Sequence, residues 1–248
     1  MVVRESADGD QKTSERVVVL PLFIHRDNKA LMGVLCAFAF FIAYSIPNHY
    51  HLFPPQLLPL TEFDRAVPFM PWTIFIYSSE YLLFILAYIQ FESEVNRNRY
   101  VWSYMGVLLI GAFFFVFFLT TYPRNDFPLP VGLDPLTYKI FAALRVADDP
   151  SNCFPSMHVT CCLLTALSFW SQDEKRWKFW FYFIWAALIS ASTLPTKQHY
   201  VVDIIGGIMV ASFGYWFFFK RVKYIPLSEY IDRLRNASRE MIEDWAKD

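Results

Sequence analysis

The sequence predicts an all-α, polytopic integral membrane protein with six transmembrane helices, and three observations carry that prediction. Of 248 residues, 55% are hydrophobic and 19% aromatic, 26 of them Phe, a composition more apolar than a soluble domain carries. The apolar residues gather into runs near the roughly 20 residues that cross a bilayer core. The Lys and Arg residues flanking those runs are distributed asymmetrically between the two faces that six crossings define.

The first run, about Ala30 to Ile46, follows 29 polar and charged residues without an apolar core of signal-peptide type, so 1–29 is expected as a retained cytoplasmic tail. A loop from Pro47 to Pro71 carries Phe53-Pro54-Pro55 and reads as interfacial. The second run covers about Trp72 to Phe91. A polar connection holding Arg97 and Arg99 precedes the third, about Tyr100 to Tyr122, which ends at Pro123-Arg124. In the long loop that follows, Leu136, Ile140, Phe141 and Leu144 recur at helical spacing, predicting a short surface helix over Asp134 to Arg145. The fourth run is about Phe154 to Trp170, the fifth about Phe179 to Leu194 and the sixth about Tyr200 to Phe219, where Gly206-Gly207 and Ala211 allow a close neighbouring helix. Residues 30–220 are therefore expected as one six-span domain. Residues 221–248 form a cytoplasmic tail whose Ile231, Leu234, Met241, Ile242 and Trp245 fit one face of an amphipathic helix. Cys36, Cys153, Cys161 and Cys162 have no zinc spacing and are expected unpaired. The net charge of −1 leaves no nucleic-acid footprint.

With the N-terminus in the cytoplasm, cytoplasmic segments hold Arg16, Arg26, Lys29, Arg97, Arg99, Lys175, Arg176, Lys178, Lys220, Arg221 and Lys223. The opposite face keeps Arg65, Arg124, Lys139, Arg145 and Lys197. His158, His199 and Asp203 then share that opposite face, periplasmic or lumenal, with Arg124 and Lys197. In a helix, His199 and Asp203 stand four apart, so the carboxylate can fix the imidazole tautomer and leave the other ring nitrogen free. Two histidines, a carboxylate and two cations suit phosphoryl transfer. His199 would attack phosphorus with Asp203 behind it, His158 would protonate the leaving oxygen, and Arg124 and Lys197 would hold nonbridging oxygens. Ser156 and the amides at the start of the fourth span would complete the cradle. Zinc ligation by His158, His199 and Asp203 is the chemical rival, opposed by the two adjacent cations. Ser156 lacks the Gly-x-Ser-x-Gly elbow of a hydrolase nucleophile. Glu80 is a functional candidate by virtue of its intramembrane position, with no partner named by the sequence. His25, His49 and His51 belong to no motif and read as interfacial.

Pro155-Ser156-Met157-His158 and the later stretch from Ser192 to Asp203, which includes Lys197-Gln198-His199-Tyr200-Val201-Val202-Asp203, resemble the motifs of the type 2 phosphatidic acid phosphatase superfamily. The resemblance spans roughly Tyr122 to Gly207. It implies a phosphohistidine on His199, activation by Asp203, His158 as general acid, and six spans. Pro123-Arg124 is similar to a remnant of the first motif. Phe117 and Thr193 stand where that pattern has a phosphate-binding lysine and arginine, and Lys197 is placed to compensate for one of them. The string running on to Ile204-Ile205-Gly206-Gly207 is similar to the inositol phosphorylceramide synthase branch, with sphingomyelin synthases more distant; these pass a head group to a ceramide hydroxyl. The expected activity is metal-free and cofactor-free cleavage of a lipid phosphate ester. Head-group transfer to a lipid hydroxyl is the alternative, and a noncatalytic lipid-binding protein is the alternative of another class.

Overall fold

The computed structural model describes residues 2–5, 15–50 and 52–245. His51, residues 1 and 6–14 of the expected N-terminal tail and the last three residues of the C-terminal tail lie outside them. The chain is mainly helical, with 67% of residues in helices. Strands β1 (Val2–Glu5) and β2 (Glu15–Leu22) pair antiparallel ahead of α1 (Lys29–His49). Asn28 fixes the entry to α1 by accepting from the His25 N–H and donating to the Phe23 carbonyl. Along α1, Leu31, Val34, Phe38, Phe41 and Ile42 are exposed, while Phe40 stacks on Tyr104. A helix with this outer face requires an apolar surround.

The loop that follows contains β3 (Gln56–Leu57) and α2 (Glu62–Ala66), the latter started by a reciprocal capping box between Thr61 and Asp64. The second expected span is broken. A 3-10 turn at Pro71–Thr73 leads into α3 (Ile74–Ser78), and α4 (Glu80–Gln90) resumes after Ser79. The Ser79 hydroxyl donates to the Ile76 carbonyl and accepts from the Trp185 indole, so the break has a local cause. Helix α5 (Glu94–Phe117) starts six residues before the expected boundary. Ser93 caps it, and Arg97 and Arg99 stand inside its first turns rather than in a connection. Arg97 is buried and donates to the carbonyls of Phe91 and Tyr88, which makes its charge compatible with a helical position.

Beyond β4 (Thr120–Thr121), α6 (Pro135–Ala147) begins at an Asp134 cap with Pro at its first position. It packs Phe141 against Ile74 and Tyr77, so it leans on α3 as well as presenting an outer face. Helix α7 (Met157–Ser168) has only 12 residues and is buried over most of its length between α5, α8 (Arg176–Ser192) and α9 (Val201–Lys220). Among the described residues, four segments are long and apolar enough to cross a membrane: α1, Pro71–Gln90, α5 and α9. The other two expected spans are shorter, α7 because it is the hub of the bundle, and α8 at 17 residues. Strand β5 (Val222–Pro226) follows α9 directly and pairs parallel with β2, from Val18↔Val222 to Leu22↔Pro226. This pairing holds the start of α1 and the end of α9 at one end of the bundle. Helix α10 (Leu227–Trp245) closes the described chain, with Leu227, Ile231, Leu234, Met241, Ile242 and Trp245 exposed. All four cysteines are free and buried.

Candidate active site

At the other end of the bundle α7 and α9 come into backbone contact, which the glycine at 207 makes possible. A Cβ there would lie 2.7 Å from the Ser156 carbonyl oxygen and 2.9 Å from Cβ of Val159. In its absence Thr160 Oγ1 donates to the Gly207 carbonyl (3.1 Å), and the Ser156 N–H donates to the Asp203 carbonyl (3.0 Å). These two bonds bring the start of α7, with His158 in its first turn, against the start of α9.

Tyr200 caps α9, and its N–H donates to Asp203 Oδ1 at 2.7 Å. The other carboxylate oxygen, Oδ2, lies 2.9 Å from His199 Nδ1. His199 itself precedes the helix; its backbone N–H and that of Gln198 donate to the Thr193 carbonyl, which sets the ring beside the first turn. With Nδ1 donating to a fully buried carboxylate, Nε2 of His199 carries the lone pair. It faces His158 Nδ1 at 3.3 Å.

His158 has two neighbours that the sequence did not connect to it. The Tyr77 hydroxyl, one turn before the break in the second span, lies 3.2 Å from Nδ1, with the two rings packed at 4.2 Å. Glu80, just after the break, places Oε1 2.9 Å from Nε2. That contact is close but not aligned as a hydrogen bond. The interruption at Ser79 thus sets Tyr77 and Glu80 against one imidazole. The result is a chain of four buried groups, Asp203, His199, His158 and Glu80, in which two carboxylates flank two imidazoles. The intramembrane position of Glu80 was the one available signal; its partner required the fold.

The remaining predicted residues are placed differently. Arg124 directs Nε to the Tyr122 hydroxyl (3.0 Å) and its two terminal nitrogens to the carbonyls of Arg145 (3.1 Å) and Asp148 (2.8 Å). It reaches the histidine end indirectly, since Tyr122 donates to the Gln198 side chain at 3.1 Å. Burial pushes the Tyr122 phenol up to about 12, which keeps it a neutral donor. Lys197 has a left-handed backbone, φ 56°, and its ammonium donates to the carbonyls of Asp64 (2.8 Å) and Val67 (2.5 Å). Desolvation lowers its pKa, with Asp64 opposing the shift. Val201 N–H donates to Asp64 Oδ1, so Lys197 and the start of α9 together pin the α2 loop to the site. The Ser156 hydroxyl caps α7 by accepting from Val159 N–H at 3.3 Å. His158, His199 and Asp203 therefore meet, whereas the hydrogen bonds of Arg124, Lys197 and Ser156 are committed to protein groups. Phe117 is exposed at the end of α5. Among the described residues, no three His, Cys, Asp or Glu side chains are arranged to hold a metal ion.

The apolar exterior and four membrane-length helices are those of a membrane protein, and a carboxylate–imidazole–imidazole–carboxylate chain is buried at one end of its bundle. The chain matches the PAP2 superfamily over residues 44–217 and belongs to it. Members of that superfamily are phosphatases or phosphotransferases. An uncharacterised protein of Methanocaldococcus jannaschii is 25% identical over 183 residues, covering 63% of this chain and 73% of the relative.

Proposed function

We propose that the protein is a six-span membrane phosphoesterase that cleaves a lipid phosphate ester at its non-cytoplasmic face through a phosphohistidine on His199. The observation that carries this reading is the direction of the His199 ring. Asp203 accepts a hydrogen bond from Nδ1, which leaves Nε2 as the nucleophilic nitrogen, pointing at the second histidine. In the first step the Nε2 lone pair forms a bond to phosphorus as the ester P–O bond breaks. The leaving oxygen takes a proton from His158, whose Nδ1 faces the His199 ring and whose Nε2 is backed by Glu80. In the second step water attacks phosphorus, His158 accepts its proton, and the P–N bond electrons return to His199. Glu80 and Tyr77 position His158, and the carboxylate offsets its charge when protonated. Phosphate oxygens meet the amide end of α7, where a helix terminus favours anions. Arg124 and Lys197 support this reading as charges near the rim and as clamps on the flanking loops. The charge asymmetry supports a cytoplasmic location for the paired β2 and β5 and a periplasmic or lumenal one for the histidines.

Head-group transfer to a lipid hydroxyl is the second reading. Phe117 and Thr193 occupy the positions of two phosphate-binding cations, and the stretch from Lys197 to Gly207 is similar to inositol phosphorylceramide synthases. The test uses purified protein with phosphatidic acid, a prenyl diphosphate, phosphatidylinositol and phosphatidylcholine, each with and without ceramide or diacylglycerol. Phosphate release without acceptor, lost in His199→Ala, supports hydrolysis. Product formed only with acceptor moves the protein to the transferase reading, and no His199-dependent product on any lipid sinks both.

A further inference from the structure

The end of the bundle opposite the histidines carries a second concentration of charge. Helix α9 runs from the site to Lys220, so its 20 residues separate the two ends by about 30 Å. Where α9 ends beside the first turns of α5 and the β2–β5 pair, a cavity of about 540 Å³ opens. Arg99, Lys220, Arg221 and Lys223 line it together with Trp216 and Tyr224, and no Asp or Glu does. Among the described residues, Arg99, Lys220 and Arg221 form no ion pair. The acids just before Arg99 in sequence are engaged elsewhere: Glu92 with Lys175 and Lys178, and Glu94 with the Arg26 N–H and His25. Arg99 is held between the rings of Phe219 and Tyr224, at 6.0 and 5.7 Å, and NH1 donates to Asn96. Its Nε is buried without a hydrogen-bond partner. Arg221 lies over Trp216 at 5.2 Å.

Cations that serve only as topological anchors extend separately into water. Here they converge on one cavity, Arg99 has a buried donor nitrogen left over, and among the described residues no ion pair holds Arg99, Lys220 or Arg221. The complement is an anion with several acceptor oxygens. Trp216 is half exposed four residues before the end of α9, and Trp at a span end is suited to the head-group region, so a lipid can reach the open wall of the cavity. We propose that this cavity binds the phosphate of an anionic phospholipid from the leaflet opposite the active site, with Arg99, Lys220 and Arg221 as its ligands and Trp216 against the glycerol and upper acyl region. The proposal is independent of the reaction assigned to the histidines.

The first test is made on the unaltered protein in nanodiscs containing a photoactivatable phosphatidylglycerol, with the adducts mapped by mass spectrometry. Labelling concentrated on 95–99 and 216–224, and competed by unlabelled phosphatidylglycerol but not by phosphatidylcholine, is the expected result. Labelling spread evenly over the spans overturns it. The second test titrates phosphatidylglycerol into detergent-solubilised protein and reads thermal stability. Arg99→Gln/Lys220→Gln/Arg221→Gln should weaken the apparent affinity at least about tenfold, whereas Arg65→Gln/Lys139→Gln/Arg145→Gln, which removes equal charge at the other end, should not. Equal weakening in both triple variants reduces the effect to general electrostatics and overturns the site. Inorganic phosphate and a soluble glycerophosphate form a third arm. If either binds as tightly as the lipid, the cavity is a soluble-anion site and the lipid assignment fails.

Discussion

Cations stand at both ends of this bundle, and they are held in opposite ways. At the histidine end Arg124 and Lys197 direct their donors into backbone carbonyls, of Arg145 and Asp148 in one case and of Asp64 and Val67 in the other. At the far end Arg99, Lys220 and Arg221 surround a cavity with rings beneath them and no carboxylate opposite. The end assigned to chemistry thus uses its cations to close loops, and the end without catalytic residues leaves them available. Position near a site does not define a role; the partner of each donor does. The two carboxylates at the histidine end illustrate the same rule, because each stands behind one imidazole.

The sharpest way to test that contrast is His199→Ala. Removing the nucleophile should lower turnover by about 10⁴-fold or more and leave phosphatidylglycerol binding at the far end unchanged; loss of both together would mean that the ends are not separate. Next is Glu80→Gln, which keeps shape but removes the charge facing His158. We expect kcat to fall about 100-fold with little change in KM and a shifted acid limb of the pH–rate profile. An unaltered kcat would assign Glu80 to packing alone. Gly207→Val forces a Cβ against the Ser156 carbonyl that α7 needs at close range, and should destabilise by about 1–3 kcal/mol while also lowering turnover. Thermal unfolding in detergent reads the first effect and initial rates the second.

Lys197 should produce the smallest change. Its folded pKa is below the ordinary 10.5, so between the lowered value and 10.5 the unfolded chain binds more protons than the folded one. The burial cost is therefore present in full below the folded pKa and is relieved as pH rises through that window. Stability of the wild type relative to Lys197→Met should accordingly improve as pH rises toward 10.5, measured as the difference in Tm. Lys197→Met should raise KM more than it lowers kcat if the lysine clamps the α2 loop. A large fall in kcat alone would return it to the phosphate-binding role that its place in the sequence suggests.

Some of this organisation is legible along the chain and some is not. The apolar runs located every long helix, because a span of that length has one solution in lipid. Arg97 and Arg99 pushed the expected start of α5 too late, since a sequence does not reveal that Arg97 finds carbonyls at Phe91 and Tyr88. The break at Ser79 was hidden for the same reason: it depends on Trp185, over a hundred residues away. His158, His199 and Asp203 were readable as a set, whereas Tyr77 carried no motif and Glu80 no partner until the broken helix turned both toward one ring.

The sequence by itself determined the helical class, the apolar exterior, the asymmetry of charge and the His199–Asp203 pair. These follow from composition, periodicity and a spacing of four residues, which are properties of neighbours in the chain. Only the tertiary structure decided that Gly207 admits α7, that Glu80 stands behind His158, and that Arg124 and Lys197 hold loops while Arg99, Lys220 and Arg221 line a cavity. Each of those outcomes depends on which acceptor reaches a donor first, and in a packed bundle the acceptors come from segments that the sequence keeps far apart.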